Sequence, residues 1–293
     1  MGRGIGVAPV AGTLSIMFRR SQPIAESRHV EPDRLFQALL SNVRSHPELE
    51  VIVDIDHSRL GAEAGSPMPP SHVLIWSDPR LDAAILSINP VAAVDLPPRI
   101  LAYEDPATGQ AAAIHNRYEF VARRHSLPER SSLREAYESA FSKVTRGIPA
   151  AAFRAFASDD VPGTGLVTLK SPHEFETTRQ RLQGVIHAQP DTVDFGTVDF
   201  AARSRACGVE LRPLQLILFG GPRPGGRAMA SAPTLGLDAF CQKLLVRQDE
   251  DGTVYVTFND LRALAARQDV SGGLPLRVID RRLKNTLSKA LES

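Results

Sequence analysis

The residues best suited to chemistry are few and scattered. Asp56 and His57 stand together, and His125 follows some way along the chain. Two imidazoles and a carboxylate are what a divalent metal or a general base would need. Neighbours on a strand point to opposite faces, however, so Asp56 and His57 cannot line one pocket without a bulge. The plainer role for Asp56, and for Asp199, is to cap a short helix that follows a strand. The plainer role for the histidines is a surface or capping one. Arg212 precedes the apolar run Leu214 to Phe219, and Arg223 lies in the loop after it. A guanidinium there could hold a carboxylate or phosphate through paired hydrogen bonds, with a structural salt bridge as the competing assignment. Glu176, early in a helical stretch, completes the expected ligand-binding set of His57, His125, Glu176, Arg212 and Arg223.

Other motifs are excluded. The run Gly220 to Gly226 lacks the lysine and Ser/Thr of a P-loop and the spacing of a dinucleotide fingerprint, which argues against nucleotide binding. Cys207 and Cys241 have no metal-ligand spacing and fit small buried hydrophobes. There is no nucleophile elbow and no His-Glu-x-x-His. No catalytic residue is assigned, and neither a metal nor a cofactor is expected.

What must position these groups is a duplicated module. Asp56 and Asp199 stand 143 positions apart, and so do Gly65 and Gly208, Arg80 and Arg223, Asp95 and Asp238, Asn116 and Asn259, and Arg124 and Arg267. A period this long means two whole domains instead of a solenoid of short units. The expected organisation is a first module over 1–148, a linker over 149–165 rich in Ala, Ser, Asp, Gly and Pro, and a second module over 166–293.

The second module is the clearer template. Val167 to Leu169 reads as a strand, and Ser171-Pro172 with Glu174 reads as the start of a helix to about Ala188. Thr192 to Val198 alternates like a strand, Ala201 to Cys207 makes a short helix stopped by Gly208, and Leu214 to Phe219 is a strand buried on both faces. Gly220 to Gly226 reads as a turn, with a short helix near Ala228 to Ala232. Lys243 to Arg247 and Thr253 to Phe258 flank an Asp-Gly turn and form a hairpin. Asn259-Asp260 caps a helix over Leu261 to Arg267, and Leu276 to Leu291 closes the module with Ile279, Leu283, Leu287 and Leu291 four apart.

The first module repeats this order. It has strands at Thr13 to Phe18, Val51 to Ile55, Val73 to Trp76, Ile100 to Tyr103 and Ala111 to His115, and a helix near Pro32 to Ser45. Asn116 is expected to cap the next helix. The closing helix starts at a Ser132–Glu135 capping box and stops at Gly147. The fold class is therefore α+β: two repeated modules, each an antiparallel sheet with helices mainly on one face, packed as a pseudo-dimer.

Composition restricts the function classes. In 293 residues, hydrophobic types make up 43% and charged types 23%, near the average for water-soluble globular proteins. The 34 basic and 33 acidic residues leave a formal charge of +1 with no basic tract, which argues against nucleic acid. Ile5 to Phe18 is interrupted by Pro9, Gly12 and Ser15, too broken for a spanning helix or a secretory signal. No membrane association and a cytoplasmic location are expected.

The second module carries Phe175-Glu176-Thr177, Val198-Asp199-Phe200, Leu211-Arg212-Pro213, Leu218-Phe219-Gly220-Gly221-Pro222, Gly236-Leu237-Asp238, Asp249-Glu250-Asp251-Gly252 and Phe258-Asn259-Asp260 in that order. In this it resembles the domain-of-unknown-function 302 (DUF302) family. The first module is similar more loosely, through Ile55-Asp56-His57, Val94-Asp95-Leu96-Pro97 and Ala122-Arg123-Arg124-His125. It keeps His57 and His125 where the second module has Phe200 and Gln268. The resemblance implies a TATA-binding-protein-like module of β-α-β4-α order that often forms dimers, and it implies no agreed activity. The expected function is binding of a small molecule or a protein partner, more in keeping with a non-enzyme. The alternatives are an enzyme using His57 and His125 as acid-base or metal-ligand groups on a small organic substrate, and a partner subunit with no ligand.

Overall fold

The computed structural model describes residues 26–161, 163–270 and 273–292. The strand expected at Thr13 to Phe18 lies outside the described residues. The first module begins with α1 (Val30–Arg44), which turns Phe36, Leu39, Leu40 and Val43 inward at helical spacing. It continues through β1 (Glu50–Asp56), α2 (His57–Glu63), β2 (Ser71–Ser77), α3 (Pro79–Leu86), a 3-10 turn (Pro90–Val94), β3 (Arg99–Glu104), β4 (Ala111–His115), α4 (Tyr118–Arg124) and α5 (Ser131–Val144). A two-residue strand, β5 (Phe153–Arg154), follows. The second module repeats the order: β6 (Leu166–Ser171), α6 (Phe175–His187), β7 (Val193–Asp199), α7 (Phe200–Ala206), β8 (Leu214–Gly220), α8 (Pro222–Met229), a 3-10 turn (Pro233–Leu237), β9 (Gln242–Gln248), β10 (Val254–Asn259), α9 (Leu261–Arg267) and α10 (Leu274–Glu292).

Two five-stranded sheets result, ordered β1-β2-β3-β4-β5 and β6-β10-β9-β8-β7. All pairings are antiparallel except β4 with β5, which runs parallel because the chain comes back to that edge from α5. The repeat extends to irregularities. The register slips between Val51 and Val53 in β1, and 143 positions on between Asp194 and Gly196 in β7, where Gly196 takes φ +109.

The middle strands are buried on both faces, as their unbroken apolar runs require. In the second module Ile217, Phe219, Leu244 and Val246 pack under α6 and α10, while Leu216, Leu218 and Leu245 join a core continuous with that of the first module. The modules pack by exchange. The turn Pro90–Val94 lies on β8, β9 and β10, and its twin Pro233–Leu237 lies on β2, β3 and β4. Helix α2 packs on α8, and α3 on α7.

Several local expectations are corrected. The glycine run is mostly helix: Pro222 opens α8, and Gly226 is needed for close approach, since a Cβ there would stand 2.3 Å from Ser66 O. Helix α6 starts at Phe175, three residues later than Pro172, because Ser171 ends β6 and spends its hydroxyl on Thr178, 2.6 Å away. Helix α5 has no side-chain cap at its start. Asp56, Asp199 and Asp260 do cap helices, accepting from the backbone N–H of Arg59, Ala202 and Arg262. Asn116 does not, because its side chain is drawn into the interface between the modules.

Candidate functional site

That interface holds a buried polar hub built from twinned residues. Asp95 and Asp238 each follow one of the exchanged turns. Arg124 ends α4 and Arg267 ends α9, while Asn116 and Asn259 stand at the ends of β4 and β10. The bonds follow the repeat. Arg124 Nη1 donates to Asp95 at 2.9 Å and Nη2 crosses to Asn259 Oδ1 at 2.8 Å. Arg267 Nη1 lies 3.5 Å from Asp238 Oδ2 and crosses to Asn116 Oδ1 at 2.6 Å. Every one of these side chains is buried.

The central residue has no twin of its own kind. Arg99, at the start of β3, bridges both aspartates: Nε donates to Asp238 Oδ1 at 2.7 Å and Nη2 to Asp95 Oδ1 at 3.0 Å. Gln242 stands at the corresponding place in β9, and Lys243 beside it replaces Ile100. Lys243 is 2% exposed and donates to the carbonyls of Asp238 at 3.2 Å and Cys241 at 2.8 Å.

Burial alone would raise both aspartates, but Arg124, His125 and Arg99 hold Asp95 well below the usual carboxylate range. Arg99, Lys243 and Arg267 lower the carboxyl of Asp238. Burial pushes the Lys243 amine down to about 8, with Arg99 adding to the effect. Burial likewise pushes Arg267 down to about 10 against the opposing pull of Asp238. The Arg267 guanidinium is sandwiched between Phe120 and Phe156, 3.5 and 3.9 Å from the ring centroids.

A cleft of about 140 Å³ opens between α6, α10 and the second sheet. Its walls are Ile186, Phe219, Phe240, Ile279 and Leu287, and Gln189, Asp191 and Arg282 contribute polar groups. Arg282 pairs there with Asp191 at 2.7 Å. A smaller cavity of about 10 Å³ adjoins it, lined by Asp238, Lys243, Phe258 and Asn259 among others. Phe219, Gln242 and Leu283 line both spaces, which therefore adjoin.

The five residues singled out by sequence are dispersed. His57, at the start of α2, is buried and bonds Gly236 O of the second module at 2.9 Å, and burial lowers it to about 4. His125 is buried at the end of α4, its Nε2 2.6 Å from Asp95 Oδ2. The two histidines thus have different partners. Glu176 pairs with Arg179 on the exposed face of α6, which lowers its carboxyl to about 2. Arg212 and Arg223 are exposed. Asp33, Asp56 and His72 offer ligand atoms within 4.8 Å of one another, but Arg59 already spans the two aspartates, at 2.8 Å from Asp33 and 2.5 Å from Asp56. A guanidinium there answers the charge that a metal ion would.

Sequence reasoning passed over Arg99, Gln242 and Lys243. The signal was available: a cation heading an apolar strand, at Arg99 before Ile100-Leu101 and at Lys243 before Leu244-Leu245, is costly to bury without a partner.

Comparison with known proteins gives a family and little more. The model described as domain of unknown function DUF302 matches residues 25–144 and again 167–293. Curated relatives named fluoride-specific ion channel FluC 1, from Brucella suis biovar 1 (strain 1330), and FluC 2, from Brucella melitensis biotype 1 (strain ATCC 23456 / CCUG 17765 / NCTC 10094 / 16M), are each 35% identical over 107 residues. Those residues are 36% of this chain and 41% and 39% of the two relatives, so the chain spans about two fifths of their length. A solved structure of an uncharacterized conserved DUF302 protein from Bacillus stearothermophilus covers 44% of this chain and 96% of its own, at 16% identity and a TM-score of 0.37. No described helix is long and apolar enough to cross a membrane.

Proposed function

The chain belongs to the DUF302 family, and from that premise we propose that it is a tandem pseudo-dimer whose second module binds a small organic molecule in the cleft under α10. One observation carries this. Beneath α10 the second module keeps an apolar space of about 140 Å³ bordered by Phe219, whose twin Trp76 in the first module is fully buried. In the first module Trp76 lies edge-on to Phe141 with ring centroids 5.1 Å apart, and Tyr137 lies 5.0 Å from the same ring. At the corresponding places the second module has Phe219, Lys284 and Asp280. Lys284 and Asp280 pair with each other at 2.8 Å instead of packing inward as rings.

Apolar space of this size holds a ligand about as large as benzene. Concave apolar sites with a few polar groups at the rim are the usual places for small ligands. The hub is the joint that makes one unit of two modules, so His57 and His125 serve cohesion and neither needs a substrate. A binding protein working in the cytoplasm, with no nucleic acid partner, fits the balanced charge. The ion-channel name of the curated relatives belongs to proteins of which this chain spans two fifths.

The test is a nuclear magnetic resonance titration of the intact protein with benzyl alcohol. Shifts confined to residues of α6, α10 and β8, abolished in Leu283→Trp, are the expected result. Shifts spread over the surface, or unchanged in that variant, would remove the cleft as a ligand site.

A further inference from the structure

The small cavity beyond the cleft indicates what chemistry a ligand would carry. It has room for a single water-sized group. Asn259 lines it and is 4% exposed. The orientation of its amide is settled by its partner: Arg124 Nη2 can only donate, so the oxygen faces Arg124 and the Nδ2 group faces away. Nδ2 then finds no acceptor among the described residues. Its twin, Asn116 Nδ2, reaches Asp238 at 3.3 Å. The corresponding partner for Asn259 would be Asp95, but Arg99, Arg124 and His125 already occupy that carboxylate. A buried amide donor with no partner is unfavourable, which favours anything that brings it an acceptor.

The charge around it has the same preference. Four buried cations, Arg99, Arg124, Arg267 and Lys243, surround two buried carboxylates, Asp95 and Asp238. Lys243 lines the same cavity, and its two hydrogen bonds to carbonyls leave a third N–H without an acceptor among the described residues. A neutral apolar ligand in the cleft would leave both the donor and the excess charge unanswered. An amine would add a like charge, and a phosphate with its tetrahedral oxygens exceeds a space for one group.

We infer that the ligand of the second-module cleft is a small amphiphilic carboxylate, its apolar body under α10 and its carboxylate at the Gln242 side of the cleft, directed toward Asn259 and Lys243. This rests on the cleft being a ligand site. Gln242, at the place where the first module has Arg99, borders both the cleft and the inner cavity.

Benzoate and benzyl alcohol share one apolar body and differ in the head group, so calorimetric titration of the intact protein with each separates the two claims. Benzoate binding at least tenfold tighter than benzyl alcohol is expected, a charge-assisted hydrogen bond being worth at least that factor. In Lys243→Met the advantage of benzoate over benzyl alcohol should shrink several-fold. Equal affinities in the unsubstituted protein would overturn the carboxylate assignment and leave the cleft standing. Binding of neither, with no difference in Leu283→Trp, would remove the cleft itself. The comparison of the two probes needs no variant, so it holds even if Lys243→Met does not fold.

Discussion

The two modules share a chain order, a bulge and a set of twinned hub residues, yet the second opens a cleft beside Phe219 where the first buries Trp76 against Phe141. Under α5 the first module sets Trp76 edge-on to Phe141 with Tyr137 tilted against the same ring, and at the hub it sends Arg99 to both aspartates. Under α10 the second leaves a cleft bordered by Phe219, and at the hub it supplies Gln242 and Lys243. The difference separates two roles that a single module would have to combine. One half supplies the arginine that bridges both aspartates, and the other leaves open space beneath its closing helix.

This contrast can be broken most severely at Arg99. Arg99→Gln gives the first module the residue of the second and strands Asp95 and Asp238 beside each other, with an expected loss of about 3–5 kcal/mol in urea unfolding. Gln242→Ala should cost under about 1 kcal/mol, and comparable losses would mean the two positions do the same work. Next comes the aromatic filling. Trp76→Ala should cost about 3–5 kcal/mol, and Phe219→Ala, whose ring already borders open space, less.

Acid sharpens the comparison, because the buried His57 and Asp82 of the first module stand where the second has Phe200 and Gly225. Burial lowers His57 from 6.5 to about 4, so between these values the unfolded chain binds a proton that the folded one refuses, and stability falls as pH falls. Burial raises Asp82 from 3.8 to about 7, so in the same window the folded chain binds the extra proton and stability rises as pH falls. The two effects offset each other. Asp82→Asn removes the second, and unfolding measured at pH 7 and pH 4.5 should then reveal an acid loss approaching 3 kcal/mol, from about 1.4 kcal/mol per pH unit. A flat profile in that variant would mean His57 is not held neutral.

The smallest effect concerns the two helix crossings. Helix α2 meets α8 through Gly61 and Gly226, where an added Cβ on either glycine would stand within 2.8 Å of Ser66 O. The corresponding crossing of α3 and α7 uses Ala83 and Ser204. Gly226→Ala should cost about 1–3 kcal/mol by overpacking, whereas Ala83→Gly should cost about 1 kcal/mol through backbone freedom, both read from thermal unfolding.

Much of the fold was legible because its determinants are local or periodic. The offset of 143 gave two modules, the apolar runs around Leu74 and Ile217 gave the doubly buried strands, and Asp56, Asp199 and Asp260 were readable as caps. The helical glycines were not legible, since their reason lies in a helix from the other module. Nor was the hub. Asn116 and Asn259 look like caps until the partner module brings Arg267 and Arg124 to them. Lys243 looks like an ordinary strand terminus until Gln242 beside it is compared with Arg99.

Arg99 also bears on why two modules should share one polypeptide. It touches twin aspartates at once, so a symmetric pair of separate chains would bring two such arginines to one seat. Covalent joining removes that collision, because each half can then change by itself. The fused gene can place a cation on one side and an amide on the other, a division of labour that identical subunits are unable to encode.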